Sequence, residues 1–211
     1  MQYTNIFFDL DITLYTSDCG LWEVINNRIN KFILTRLKVP QKEIPALRLY
    51  CHQNFATTLP GLMSNFDINV DDYLAFVHDV DLSKFFKPDI QVREVLLQYP
   101  QRRFIFTNAD HNHALRVISA LNLNDIFEFI IDIHNINPHN KFQEEAFHTT
   151  LQIARSPEPS KCLMVDDMAR VLDIAKNLGL YTIYVNKNPP TESNHATIRE
   201  IEELPLVLNP D

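Results

Sequence analysis

Asn5-Ile6-Phe7-Phe8-Asp9-Leu10-Asp11-Ile12-Thr13 is the stretch whose reading decides the fold. Its first four residues form a compact run with aromatic and β-branched side chains, ended by a carboxylate, as expected of a buried strand. Asp9 and Asp11 stand two residues apart at the carboxyl end of that strand, and the Thr13 hydroxyl is suited to bracing the turn that follows. Alone, D-x-D-x-T also describes an ordinary strand end with a capping threonine. The rest of the chain separates the two readings.

Downstream, Leu21, Ile25, Ile29, Phe32, Ile33 and Leu37 recur at helical spacing until Pro40 stops the run. Residues 45–55 and 71–78 also read as helices, the second with Asp71 as its N-cap. Residues 16–86 are thus expected to be a helical insert. From Lys87-Pro88-Asp89 onward, helix and strand alternate. Helices are expected to Gln98 and over 110–121, 143–154 and 169–178, with strands over 103–106, 127–131, 162–165 and 181–185. Strands separated by helices imply right-handed crossovers and a parallel, doubly wound α/β sheet. Such sheets bind ligands beyond the carboxyl ends of their strands.

Three segments fall at those ends: Asp9-Leu10-Asp11, Thr107-Asn108 and Asp166-Asp167. The first has a plain reading as a strand end and turn and the other two as helix caps, but their shared position at predicted strand ends favours a site. Four carboxylates brought together repel unless a cation compensates them. Hard oxygen ligands without Cys or His partners favour Mg²⁺.

Composition narrows the function classes. The chain has 211 residues, 45% hydrophobic and 22% charged, enough for one domain or a large domain carrying a smaller one. A formal charge of −8 counts against a nucleic-acid polymer or an anionic membrane as partner. Only three glycines occur, Gly20, Gly61 and Gly179, so G-x-G-x-x-G and Walker-type phosphate loops are excluded. Cys19, Cys51 and Cys162 are scattered, without C-x-x-C, which suits a reducing compartment better than a disulfide framework or a zinc knuckle. With no apolar run near the roughly 20 residues of a membrane span, and no basic region at the start, a cytoplasmic protein is expected. Oligomeric state stays open.

Phe8 to Tyr15 (F-D-L-D-I-T-L-Y), Phe106 to Asp110 (F-T-N-A-D) and Val165 to Asp167 (V-D-D) resemble the first, second and fourth motifs of the haloacid dehalogenase (HAD) superfamily of phosphatases. The likeness covers nearly the whole chain. Within the superfamily the chain is most similar to the pyrimidine 5′-nucleotidase group, through F-V-H-D at Phe76 to Asp79, F-K-P-D at Phe86 to Asp89, and T-N-A-D-H-N-H-A-L-R at Thr107 to Arg116. This resemblance implies a Rossmann-like HAD core over 1–15 and 87–211, with a small all-helical cap over 16–86 inserted after the first strand.

The resemblance also implies roles. Asp9 would be the nucleophile that forms an aspartyl-phosphate, and Asp11 the acid that protonates the leaving oxygen and later activates water. Mg²⁺ would be held by the Asp9 side chain, the Asp11 main-chain carbonyl and Asp167, with Asp166 bound directly or through water. Thr107, Asn108 and the backbone N–H groups opening the next helix would hold phosphate oxygens. The family's lysine, commonly in K-P-x-x-x-A-F, maps to Lys141, with Phe142 replacing the proline; Lys161 is the fallback. Ile12 and Met168 also depart from the family pattern, at positions usually small or polar. Tyr50, His52, His78 and Asp79 are cap candidates for contacting the leaving group. His111, His113, His134 and His139 lack ligand spacing and read as surface or capping residues.

The function expected is Mg²⁺-dependent hydrolysis of a small phosphorylated metabolite, a pyrimidine nucleoside 5′-monophosphate by resemblance. The alternatives are a HAD phosphatase for another metabolite such as a sugar phosphate, or a catalytically silent regulatory protein on this fold. A phospho-accepting signalling domain also gathers acids and a lysine above a parallel sheet, but the early D-x-D, the late acidic pair and the insert speak against it.

Overall fold

The computed structural model describes residues 3–156, 158–188 and 195–208. Met1 and Gln2, part of the start read as carrying no leader, lie outside them. β1 (Asn5–Phe8) is followed by helices α1 (Leu21–Thr35), α2 (Ile44–Phe55), α3 (Thr58–Met63) and α4 (Val70–His78). Helix and strand then alternate through α5 (Ile90–Leu97), β2 (Arg102–Phe106), α6 (His111–Ala120), β3 (Phe129–Ile131), α7 (Glu144–Ile153), β4 (Cys162–Asp166), α8 (Ala169–Asn177) and β5 (Tyr181–Val185). β6 (Ala196–Ile198) and α9 (Leu204–Val207) complete the described chain. It divides into two compact units, Met1–Cys19 with Leu82–Asp211, and Gly20–Asp81.

In the first unit the described strands form one parallel sheet in the order β3-β2-β1-β4-β5-β6. This is the doubly wound α/β arrangement expected from the alternation. β1 lies inside the sheet with all four residues buried, which is why its sequence shows an apolar run and no period of two. The register places Phe8 opposite both Ile105 and Val165. Three strands therefore end almost level, and the residues after them share one edge. Phe7 stacks on Phe104 at 5.3 Å, and Phe106 meets Phe147 edge-on at 5.2 Å, fixing the neighbouring strand and helix. Asp89 and Asp110 cap their helices by accepting from the Val92 and His113 amides, each at 3.0 Å.

The second unit is all helical among its described elements. Leu21, Ile25, Ile29, Phe32 and Ile33 are the buried stripe of α1, as their spacing predicts. The expected cap of α4 is corrected: Asn69, not Asp71, accepts from the Asp72 amide at 3.0 Å. Asp71 falls in the first turn, where its charge still favours the helix N-terminus. α3 was not expected, because T-L-P-G-L-M carries both Pro and Gly. Gly61 is needed there, since a Cβ at that position would stand 2.6 Å from the Cys51 side chain. The missing side chain lets α3 pack directly against α2. Among the described residues no helix is long and apolar enough to cross a membrane.

Candidate active site

The level strand ends bring distant acids together. Asp9 extends the β1–β4 ladder by one residue, its amide donating to the Val165 carbonyl at 2.9 Å. Asp166 is the last residue of β4 and is fully buried; Asp167 follows it. One carboxylate oxygen from each of Asp9, Asp166 and Asp167 lies within 4.8 Å of the others. Lys141, also buried, donates from Nζ to Asp9 Oδ1 and to Asp166 Oδ2, both at 2.6 Å. The ammonium sits 5.3 Å from the centre of the Phe106 ring.

Backbone contacts hold this lysine and its neighbours. Asn108 Oδ1 accepts from the Lys141 amide at 2.9 Å, so the end of β2 anchors the loop that carries the lysine. The carbonyl oxygen of Asn108 is thereby occupied, and any donation to a phosphate falls to its NH₂ group. Asp166 Oδ1 accepts from the Met168 amide at 2.8 Å, turning the chain sharply after β4. Lys161, the fallback lysine, lies away from the cluster in a surface pair with Glu158 at 2.9 Å.

Two buried carboxylates, Asp9 and Asp166, and the half-buried Asp167 face one ammonium, a deficit of two charges when all three acids are ionised. Burial pushes Asp9 up to about 7, with Lys141 pulling it down and Asp166 pushing it up. Burial likewise pushes Asp167 up to about 8, reinforced by Asp9 and Asp166. Burial acts to lower the Lys141 pKa, but Asp166 and Asp9 outweigh it and hold the ammonium well above the ordinary lysine range. A divalent cation matches both the charge deficit and the hard oxygen donors, so the residues present fit Mg²⁺.

The Asp11 carboxylate does not join this trio as a fourth. Its Oδ1 accepts from the Tyr15 hydroxyl at 2.5 Å and from His113 Nε2 at 2.9 Å. His113, read from sequence as a surface or capping residue, is 1% exposed, and this corrects the expectation. The available signal was its place in the first turn of the helix leaving β2, a turn that faces the carboxyl edge of the sheet. His111 and His134 are exposed.

Two further expectations are corrected. The Thr13 hydroxyl is buried without a hydrogen-bond partner and does not brace the turn. That turn is closed by the Leu14 amide, which donates to the Leu10 carbonyl at 3.1 Å, and Ile12 takes a positive φ of 66°. A β-branched residue in the left-handed region stores about 1–3 kcal/mol of strain. The amides opening α6 are partly engaged by protein carboxylates: Asp132 Oδ2 accepts from His111 N at 2.9 Å, and Asp110 takes His113 N. Thr107 is buried, and its hydroxyl accepts from the Ala109 amide at 3.0 Å while keeping its own proton to donate.

Within the same unit a cavity of about 680 Å³ opens beside the acids, its wall including Ile12, Thr13, Lys87, Asp167, Lys187 and Arg199. Ile12 and Asp167 place the departing sequence position and one acid on a single surface. In the helical unit, Asp79 pairs with Arg28 at 3.0 Å, and His52 contacts the Ala56 carbonyl and the Thr58 hydroxyl. His78 is buried and Tyr50 is 45% exposed.

Residues 3–179 match the family model of haloacid dehalogenase-like hydrolases. The chain belongs to that family. It is 24% identical over 230 residues to Phosphate metabolism protein 8 of Saccharomyces cerevisiae, an alignment spanning 96% of this chain and 72% of the relative. In fold it is similar to the HAD-hydrolase YfnB from Bacillus subtilis bound to magnesium, with a TM-score of 0.67, 15% identity and coverage of 99% and 100% of the two chains. It is also similar to a HAD phosphatase from Thermococcus onnurineus, with a TM-score of 0.61, 18% identity and 99% of each chain covered. This HAD-like hydrolase thus has its acids at the sheet edge where its fold is expected to bind ligands.

Proposed function

We propose that this HAD-like hydrolase is a Mg²⁺-dependent phosphomonoesterase that works through an aspartyl-phosphate on Asp9. The observation carrying this reading is the buried cluster in which Lys141 Nζ bridges Asp9 and Asp166 at 2.6 Å, with Asp167 beside them. Asp9 attacks phosphorus, and the ester P–O bond breaks as a proton passes from Asp11 to the leaving oxygen. Asp11, now a carboxylate, then takes a proton from the water that attacks phosphorus, and the bond from phosphorus to Asp9 breaks. Lys141 offsets charge on Asp9 and on the incoming phosphoryl group, while Thr107 donates to a phosphate oxygen. Asn108 acts twice, anchoring the Lys141 backbone and offering its NH₂. Asp9 and Asp167, the Asp11 carbonyl, and Asp166 directly or through water would hold Mg²⁺, whose charge would let an anionic nucleophile approach an anionic phosphate.

Pyrimidine nucleoside 5′-monophosphates are the substrates we assign, on the strength of the F-V-H-D, F-K-P-D and T-N-A-D-H-N-H-A-L-R segments. The helical insert acts as the cap that selects the leaving group. Three scattered cysteines without a C-x-x-C pair support a cytoplasmic setting. The test is phosphate release from purine and pyrimidine monophosphates and sugar phosphates, with Mg²⁺ or EDTA, by wild type and Asp9→Asn. Mg²⁺-dependent turnover of UMP or CMP that vanishes in Asp9→Asn is expected. Preference for sugar phosphates would keep the chemistry and replace the substrate; no release from any ester would overturn the phosphatase reading.

A further inference from the structure

Tyr15 and His113 reach Asp11 from separate directions and meet at one atom. The bond from the Leu14 amide to the Leu10 carbonyl coils the chain after β1, which returns Tyr15 four residues later to the Asp11 side chain. His113 arrives from α6, more than a hundred residues downstream. Both donors lie on Oδ1, the hydroxyl at 2.5 Å and the imidazole nitrogen at 2.9 Å.

Each donor is itself fixed. Tyr15 is 8% exposed, with its ring 4.6 Å from that of Phe86. His113 is 1% exposed, and its amide is held by Asp110. A carboxylate oxygen can only accept, so the histidine proton facing Asp11 is on Nε2. A phenylalanine at position 15 would supply the same ring; the hydroxyl is the extra group, and burying one is costly unless it bonds.

We infer that Tyr15 and His113 are positioning residues that clamp Asp11 Oδ1, so that the proton transferred to the leaving group is carried on Oδ2. The inference rests on the reading of Asp11 as the acid. In phosphoryl transfer the Oδ2–H bond breaks and a bond from that hydrogen to the ester oxygen forms as the P–O bond breaks; Oδ1 keeps both donors throughout. A side chain held in one rotamer meets the leaving oxygen without searching for it.

Leaving-group dependence tests the clamp. General acid catalysis matters for an alkyl ester such as UMP and little for 4-nitrophenyl phosphate, whose phenolate departs unprotonated. The quantity to compare is kcat/KM, which reports phosphoryl transfer to Asp9 and excludes the later hydrolysis. Tyr15→Phe, which deletes one atom, and His113→Leu are expected to lower kcat/KM for UMP by roughly 10- to 100-fold and for 4-nitrophenyl phosphate by less than about 3-fold. His113→Gln, whose amide nitrogen can replace Nε2, is expected to recover most of the loss. If Tyr15→Phe slows both esters equally, or neither, the clamp is overturned while the phosphatase stands. If wild type hydrolyses no phosphate ester, or Asp9→Asn retains the activity, the phosphatase reading fails and the clamp falls with it.

Discussion

The two ends of the sheet carry the same kinds of charge in opposite settings. At the amino ends, Arg102 pairs with Glu128 at 2.5 Å with side chains 41% and 49% exposed, and Lys161 pairs with Glu158 in the open. At the carboxyl ends, Lys141 meets Asp9 and Asp166 at the same kind of distance, almost wholly removed from water. Solvent screens the first set, so those pairs tie loops together at little cost and for little gain. In the second set every missing partner leaves a desolvated charge, so the group is costly to build and sensitive to change. The difference separates the edge of the sheet that carries the proposed chemistry from the opposite, solvent-screened edge.

The sharpest way to break that contrast is Lys141→Met. It leaves the Asp9 and Asp166 carboxylates buried without their ammonium, and the metal-free protein is expected to lose about 3–5 kcal/mol in denaturant unfolding, along with all phosphate release. A loss below about 1 kcal/mol would make the buried edge no different from the exposed one. Asp167→Asn acts in the other direction, because it removes one of three mutually repelling acids. We expect the metal-free thermal midpoint to rise by about 2–4 °C, equivalent to about 1 kcal/mol at this chain length, while activity and the stabilisation by Mg²⁺ disappear. The smallest effect belongs to Glu128→Gln at the opposite edge. Hydrogen bonding from Arg102 holds the Glu128 carboxyl below its ordinary 4.5, so this group stabilises the fold at neutral pH and ceases to as pH falls below that value. Solvent limits the gap between variant and wild type to about 0.5 kcal/mol at pH 7, shrinking in acid, as paired urea titrations would measure.

Much of the α/β unit was legible because its signals are local. A buried strand needs a short apolar run, a crossover helix needs a stripe, and each ends in punctuation that neighbouring residues supply. The 181–185 strand is observed over the expected residues, and Asp110 stands at the helix boundary where the alternation put it. β6 was not anticipated, since Ala196-Thr197-Ile198 is too short to show a period and becomes a strand only by pairing with β5. α3 likewise depends on Gly61 lying against Cys51, a contact between two helices that no single segment announces.

The site divides along the same line. The sequence alone determined which residue types end the strands: Asp9, Asp11, Thr107, Asn108, Asp166 and Asp167 follow short apolar runs, and a parallel sheet gathers whatever follows its strands. Lys141 was legible only through the spacing of a resembling family. Only the tertiary structure decided which oxygen meets which donor. The register of β1 against β4 set Asp9 beside Asp166, the loop after β3 delivered Lys141 to both, and the first turn of α6 aimed His113 at Asp11. Hydrogen bonds act over about 3 Å, whereas sequence patterns specify which face of an element is buried. Converting one into the other takes strand register, helix phase and loop path together, and those are fixed by packing between residues far apart in the chain.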